Sequence, residues 1–410
     1  MCKDIYRGSN VSAIAFIVCT NDKDCMDECK FYIERLYVPE GMEVSIITLD
    51  RAESMTSGYN EVMRFSDARY KVYLHQDVFI VNRNFIHDIL QCFENDEEVG
   101  MIGVAGARHL PGNGDAWKSL DVGGCYSVGT FSEVGNIAVK PDINNPSGVY
   151  EEVEFIDGML MATAYDLEWD ERIEGFHFYD VSQCVRYRNN GLKIAVARQE
   201  EIWVFHDFGP LNLETYNVYR KRFCELYTEY RYEEGEVADT AKIYQLCNKV
   251  ASVLKSLFDS KHYIEVEDIL RSVDNAIYFN QELLTIYFLM EIHRLENMLE
   301  TDRLLDITCK DDDFKSRERR YFKLRWLLIR AEFGYEPVEH IADMIAGGIY
   351  SISAVIVTAL HNIPQESMYI LDNIGKSLEK RQVINAGEWD KYFSIITNYE
   401  KKNLPSAKGL

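Results

Sequence analysis

The chain has 410 residues, more than one hydrophobic core usually serves, so two or more domains are expected. Hydrophobic residues at 47%, charged residues at 27%, and only 8 Pro and 24 Gly exclude a fibrous or disordered protein. With 44 Lys and Arg against 67 Asp and Glu, the formal charge of -23 repels phosphate backbones and anionic headgroups, which speaks against nucleic acid as a partner.

The first apolar run, Val11 to Thr20, is the only candidate for a targeting segment. At roughly ten residues it is too short to cross a bilayer, and it reads as a buried strand. The 10 Cys are scattered without a CxxC pair or zinc-ligand spacing, as in a reducing compartment. A cytoplasmic protein follows, with no integral membrane segment and at most a peripheral place at a membrane.

After AIAFIVCT, the spacing of Cys25, Cys29, Ile33 and Leu36 predicts a helix with a buried face. VSIITLD, YKVYLHQD, GMIGVAG, FIDGMLMAT and LKIAVA read as further strands. Phe85, Ile89 and Phe93 mark another helix between them, and His177 to Asn189 a third that closes at Gly191. The alternation is that of an α/β sheet covered by helices. Ala107 to Glu152 lacks clear periodicity and reads as a functional loop, a substrate-binding flap between two strands.

Beyond Pro210 the pattern becomes helical, as in Ile243, Cys247, Val250, Leu254 and Leu257. The expected division is an α/β domain over residues 1–212 and an all-α domain over 213–410, a bundle or a solenoid-like row without a fixed repeat.

The densest chemical signal is the run Tyr70 to Ile80, YKVYLHQDVFI, in which Asp77 follows a strand. A carboxylate there lies in the crevice where α/β proteins bind ligands, although an acid capping the next helix has the same look. The order SIITLDRAESMTSGYNEVMRFSDARYKVYLHQDVFI resembles the nucleotide half of a GT-A glycosyltransferase of the family 2 type, over residues of about 12 to 210. The resemblance implies a GT-A-like, Rossmann-like domain with a mixed, mostly parallel sheet, followed here by helices.

It also implies roles, position by position. Asp77 matches the second acid of D-x-D, which holds a divalent ion, Mn2+ or Mg2+, against the diphosphate of a sugar nucleotide. His75 stands where the first acid would be, and His206 after the last strand can complete the metal site. Thr20, Asp50, Tyr59, Asn60 and Gln76 fall with Asp77 on the donor side, with Arg64 one turn beyond Asn60. Asp50 also suits a helix cap. Asp157 and Gly158 resemble the acceptor-side strand, and Trp117 is a stacking candidate for a sugar face. In FHFYDVS the family's glutamate has become Tyr179, and Asp180 remains as the general base, or as a first-turn acid favoured by the helix dipole.

The expected activity is metal-dependent, inverting transfer of a hexose from a nucleoside diphosphate, with UDP-sugar the first choice, to a hydroxyl on a glycan or glycoconjugate. An oligomer is compatible with it. The alternative is a degenerate GT-A domain in a helical scaffold or binding protein, for which His75 and Tyr179 in place of acids argue.

Overall fold

The computed structural model describes residues 5–116, 119–128, 138–139, 144–207, 213–233, 237–273, 314–362, 367–385, 387–390 and 394, with scattered positions between 282 and 293. The chain divides into two compact units, one of Met1–Ser127, Lys140–Phe208 and Asn212–Ala241, the other of Val128–Val139, Gly209–Leu211 and Lys242–Leu410.

The chain opens with β1 (Asn10–Thr20), α1 (Lys23–Ile33), β2 (Glu43–Asp50), α2 (Met55–Phe65) and β3 (Ala68–His75). Next come β4 (Val78–Ile80), α3 (Phe85–Asn95), β5 (Val99–Gly103) and β6 (Ala105–Ala107). Short strands β7 (Val122–Gly123), β8 (Tyr126–Val128) and β9 (Ala138–Val139) precede β10 (Tyr150–Val153), β11 (Phe155–Ile156) and β12 (Leu160–Thr163). Then follow α4 (Tyr179–Asn189), β13 (Lys193–Ala197), β14 (Val204–His206) and α5 (Leu213–Leu226).

A seven-stranded mixed sheet in the order β10-β13-β5-β12-β3-β1-β2 forms the centre of the first unit. β1 lies parallel to both β2 and β3, while β12 runs antiparallel to β3 and β5. Burial on both faces explains the unbroken apolar run of β1, in which Ile14 to Val18 are inaccessible to solvent. Helix α1 starts where it does because Asp22 accepts hydrogen bonds from the backbone N–H groups of Asp24 and Cys25. Ser54 caps α2 in the same way through Ser57 N–H. α5 belongs to this unit too, with Phe223 and Cys224 in its core and the Phe223 ring centroid 5.4 Å from that of Phe178.

Two runs expected as single strands are broken in the fold, and a third ends early. YKVYLHQD ends as β3 at His75, and the short apolar run after Asp77 forms β4, which joins β14 in a separate sheet. GMIGVAG divides into β5 and β6, and FIDGMLMAT into β11 and β12, each pair in two different sheets. The expected flap is not structureless in its described part: β7 pairs with β6, and β8 lies parallel to β14.

The second unit is helical, with most of α6 (Val237–Asp259), α7 (Tyr263–Val273) and helices at Phe314–Glu332, Val338–Ala346, Ile352–Asn362 and Ser367–Lys380. Cys247, Ala251, Leu254 and Phe258, at helical spacing on α6, are buried with Val266 and Leu270 of α7. Among the described residues no helix is long and apolar enough to cross a membrane.

Candidate active site

The break between β3 and β4 places His75, Gln76 and Asp77 at the C-terminal edge of the central sheet. Antiparallel pairing of β4 with β14 sets His206 opposite Val78, and so beside Asp77. His206 Nε2 lies 3.5 Å and His75 Nδ1 3.9 Å from Asp77 Oδ1. One ligand atom from each of the three side chains falls within 4.8 Å of the others, a group that could hold a metal ion. Asp77 Oδ1 is buried and, among the described residues, has no hydrogen-bond partner within normal geometry. A buried carboxylate oxygen facing two imidazoles is a position that a cation satisfies, so the donor set fits the metal that the sequence implies.

The three groups also act on one another electrostatically. Burial alone would lower the pKa of His206, but Asp77, reinforced by Cys125, pushes it up to about 10. Burial would raise Asp77, and His206 and His75 outweigh it and hold the carboxyl below its ordinary value. Burial holds His75 down against the pull of Asp77.

Beside this group opens a cleft of about 200 Å³, lined by Cys19, Thr20, Asn21, Arg51, Met55 and Phe176 together with His75, Gln76 and Asp77. The Gln76 amide oxygen accepts from Thr20 Oγ1 (2.8 Å), Asn21 N (2.9 Å) and Asp22 N (3.0 Å), and its nitrogen donates to Asn21 Oδ1 (2.7 Å). Gln76 therefore ties the end of β3 to the turn after β1. Asp50 ends β2 in register with Thr20 and is exposed, with Arg51 Nε 3.9 Å from its carboxylate.

Tyr59 and Asn60 are not in this cleft. α2 turns them onto the sheet, where Tyr59 is fully buried among Tyr73, Trp169 and Tyr179. Asn60 donates to Trp169 O and Glu171 Oε1 and accepts from Trp169 N at 2.8 Å, a clamp on the segment before α4. Arg64 turns outward to Glu168 at 2.8 Å. Trp117 lies outside the described residues.

On the far side of His75, the segment leading into α4 is held in an unusual backbone. Gly175 has φ +80° and Phe178 φ +62°, and Gly175 O accepts from Met55 N at the start of α2. This fixes Tyr179 as the first residue of α4, two later than the spacing predicts. His177 stays outside the helix, bonded to Thr215 Oγ1 at 3.1 Å. The Tyr179 hydroxyl donates to Gly158 O at 2.9 Å and lies 2.5 Å from His75 Nε2. Asp180 takes Gly158 N–H on Oδ2 (2.9 Å) and Val181 N–H on Oδ1 (2.8 Å), while Asp157 Oδ1 accepts from Met159 N. Burial first, and Asp157 second, raise the half-buried Asp180 carboxyl to about 7 against those two backbone bonds. Such a group can exchange a proton at neutral pH.

Sequence reading missed Arg51, Met55 and Phe176 on the cleft and Cys125 beside His206. Arg51 adopts φ +55°, and Phe176 is a 55% exposed aromatic, neither of which a single sequence displays. Cys125 reaches His206 through the β8–β14 pairing, which joins distant parts of the chain.

The model of the glycosyltransferase-like family matches residues 15–227. No curated protein matches the chain. Among solved structures, a mutant Drosophila beta-1,4-galactosyltransferase 7 in complex with manganese, UDP-Gal and xylobiose is similar at 14% identity and TM-score 0.32, over 55% of this chain and 82% of that one. A mannosyltransferase from Pyrobaculum calidifontis in complex with GDP-Man and Mn2+ is similar at 10% identity and TM-score 0.33, over 72% of this chain and 90% of that one. S. aureus TarS 1–349 is similar at 8% identity and TM-score 0.34, over 86% of this chain and 92% of that one. Likeness at this level bears on neither substrate nor residue roles.

Proposed function

The chain belongs to the glycosyltransferase-like family, and we propose that it is a metal-dependent, inverting transferase moving a hexose from a nucleoside-diphosphate sugar to a hydroxyl acceptor. UDP-sugar is the first donor to test, and a glycan or glycoconjugate the acceptor class. The observation that carries the reading is the convergence of His75, Asp77 and His206, the first two of which line the cleft, tied through Tyr179 and Gly158 to Asp180.

His75, Asp77 and His206 would hold the divalent ion, and two imidazoles favour Mn2+ over Mg2+. Bound there, the ion supplies positive charge for the leaving diphosphate. The remaining work falls to the chain itself. Gln76 fixes the turn that carries Thr20, which with Asp50 and Arg51 offers polar contacts to the nucleotide. Asp180, its carboxylate oriented by two backbone N–H groups, accepts the proton of the acceptor hydroxyl as that oxygen attacks the anomeric carbon. Asp157 and Gly158 lie beside it on the acceptor side. In this reading transfer belongs to residues 1–212, and the helices of 213–410 position the acceptor, a partner or a second copy. A cytoplasmic protein, peripheral to a membrane where its acceptor requires it, fits the composition.

Incubation with Mn2+, a panel of nucleotide sugars and a set of saccharide acceptors tests this. Sugar release or transfer that Asp180→Asn abolishes, with nucleotide binding retained, supports it. Nucleotide binding without turnover under every pairing supports the scaffold reading, in which Tyr179 has replaced an acid.

A further inference from the structure

The Tyr179 hydroxyl makes two hydrogen bonds with one proton. Gly158 O, a carbonyl, can only accept, so the phenolic proton is committed to it at 2.9 Å. The second contact, to His75 Nε2 at 2.5 Å, then requires the imidazole to donate. A neutral imidazole that carries its proton on Nε2 has its lone pair on Nδ1. That is the nitrogen 3.9 Å from Asp77 Oδ1, the oxygen that His206 Nε2 also faces at 3.5 Å.

The phenol has little freedom to change this. Tyr179 is 2% exposed and packed against Tyr59 and Trp169, with ring centroids 5.9 and 6.1 Å away. A Cβ added at Gly158 would lie 2.2 Å from the hydroxyl oxygen, so only glycine lets the phenol reach its carbonyl.

We infer that Tyr179 is a positioning residue: its hydroxyl fixes His75 in the tautomer whose Nδ1 lone pair faces Asp77, making His75 a direct ligand of the bound cation. This rests on the metal-dependent reading above and deepens it, because the position of the lost acid is occupied by a group that orients a neutral nitrogen ligand. An outer partner of this kind acts by setting the ring's orientation and basicity.

Two measurements test it, neither of which needs substrate. Imidazole nitrogen NMR of the metal-free wild type, with His75 assigned by its loss in His75→Asn, should show the Nε2-protonated tautomer. A proton on Nδ1 would overturn the inference without any variant of Tyr179. Mn2+ titration, with no nucleotide present, should give a dissociation constant about ten-fold or more higher in Tyr179→Phe than in the wild type. Mn2+ binding left unchanged in Tyr179→Phe overturns this inference alone. A wild type that binds no Mn2+ overturns the metal reading, and the inference with it.

Discussion

Gly158 and Tyr179 are so close that no side chain fits between them: a Cβ on Gly158 would meet the phenolic oxygen at 2.2 Å and the Asp180 Cβ at 3.0 Å. One glycine therefore holds the tyrosine that orients His75 and, through its N–H, the carboxylate proposed as base. Gly158→Ala should cost about 1–3 kcal/mol of stability by overpacking. It should also weaken Mn2+ binding and turnover together. Denaturant unfolding and Mn2+ titration of the same sample check both, and a fully active Gly158→Ala protein would contradict the geometry.

The Asp180 carboxyl, raised to about 7 by burial and by Asp157, predicts a pH profile with a stated sign. A base works only when ionised, so kcat/KM should climb with pH through about 7 and fall away on the acid side. Asp157→Asn removes the neighbouring negative charge and should move the midpoint to lower pH. Initial rates across pH 5 to 9 for both proteins test this, and a midpoint that stays in place removes Asp157 from the account.

Asn60 should behave as a structural residue. It is 1% exposed and makes three hydrogen bonds to Trp169 and Glu171. Asn60→Ala strands the backbone groups of Trp169 and should cost about 1–3 kcal/mol, with the nucleotide dissociation constant changed less than two-fold. Weaker nucleotide binding at unchanged stability would return Asn60 to the donor side.

Much of this architecture was legible because its signals are local. The apolar run of β1 and an acid at the end of the third strand follow from residue order alone, and the HQD run singled out His75 and Asp77. What the sequence concealed is set by contacts between distant segments. The polar residues His75 to Asp77 interrupt the run, but nothing local says that the apolar residues after them join another sheet; that is decided by pairing with β14. Helical spacing places Tyr59 and Asn60 on α2, but which face they occupy depends on Trp169, more than a hundred residues later. The role of Tyr179 was hidden for the same reason, since its hydroxyl acquires meaning only once β3 and β12 bring His75 and Gly158 together.

The central claim is that His75, Asp77 and His206 form a metal site serving a nucleoside diphosphate. Calorimetric titration of the protein with uridine and guanosine diphosphates, with Mn2+ and then with the metal chelated, tests it most directly. The account predicts binding that requires Mn2+ and that Asp77→Asn removes. Binding of equal strength after chelation, or no binding of either nucleotide, would contradict it.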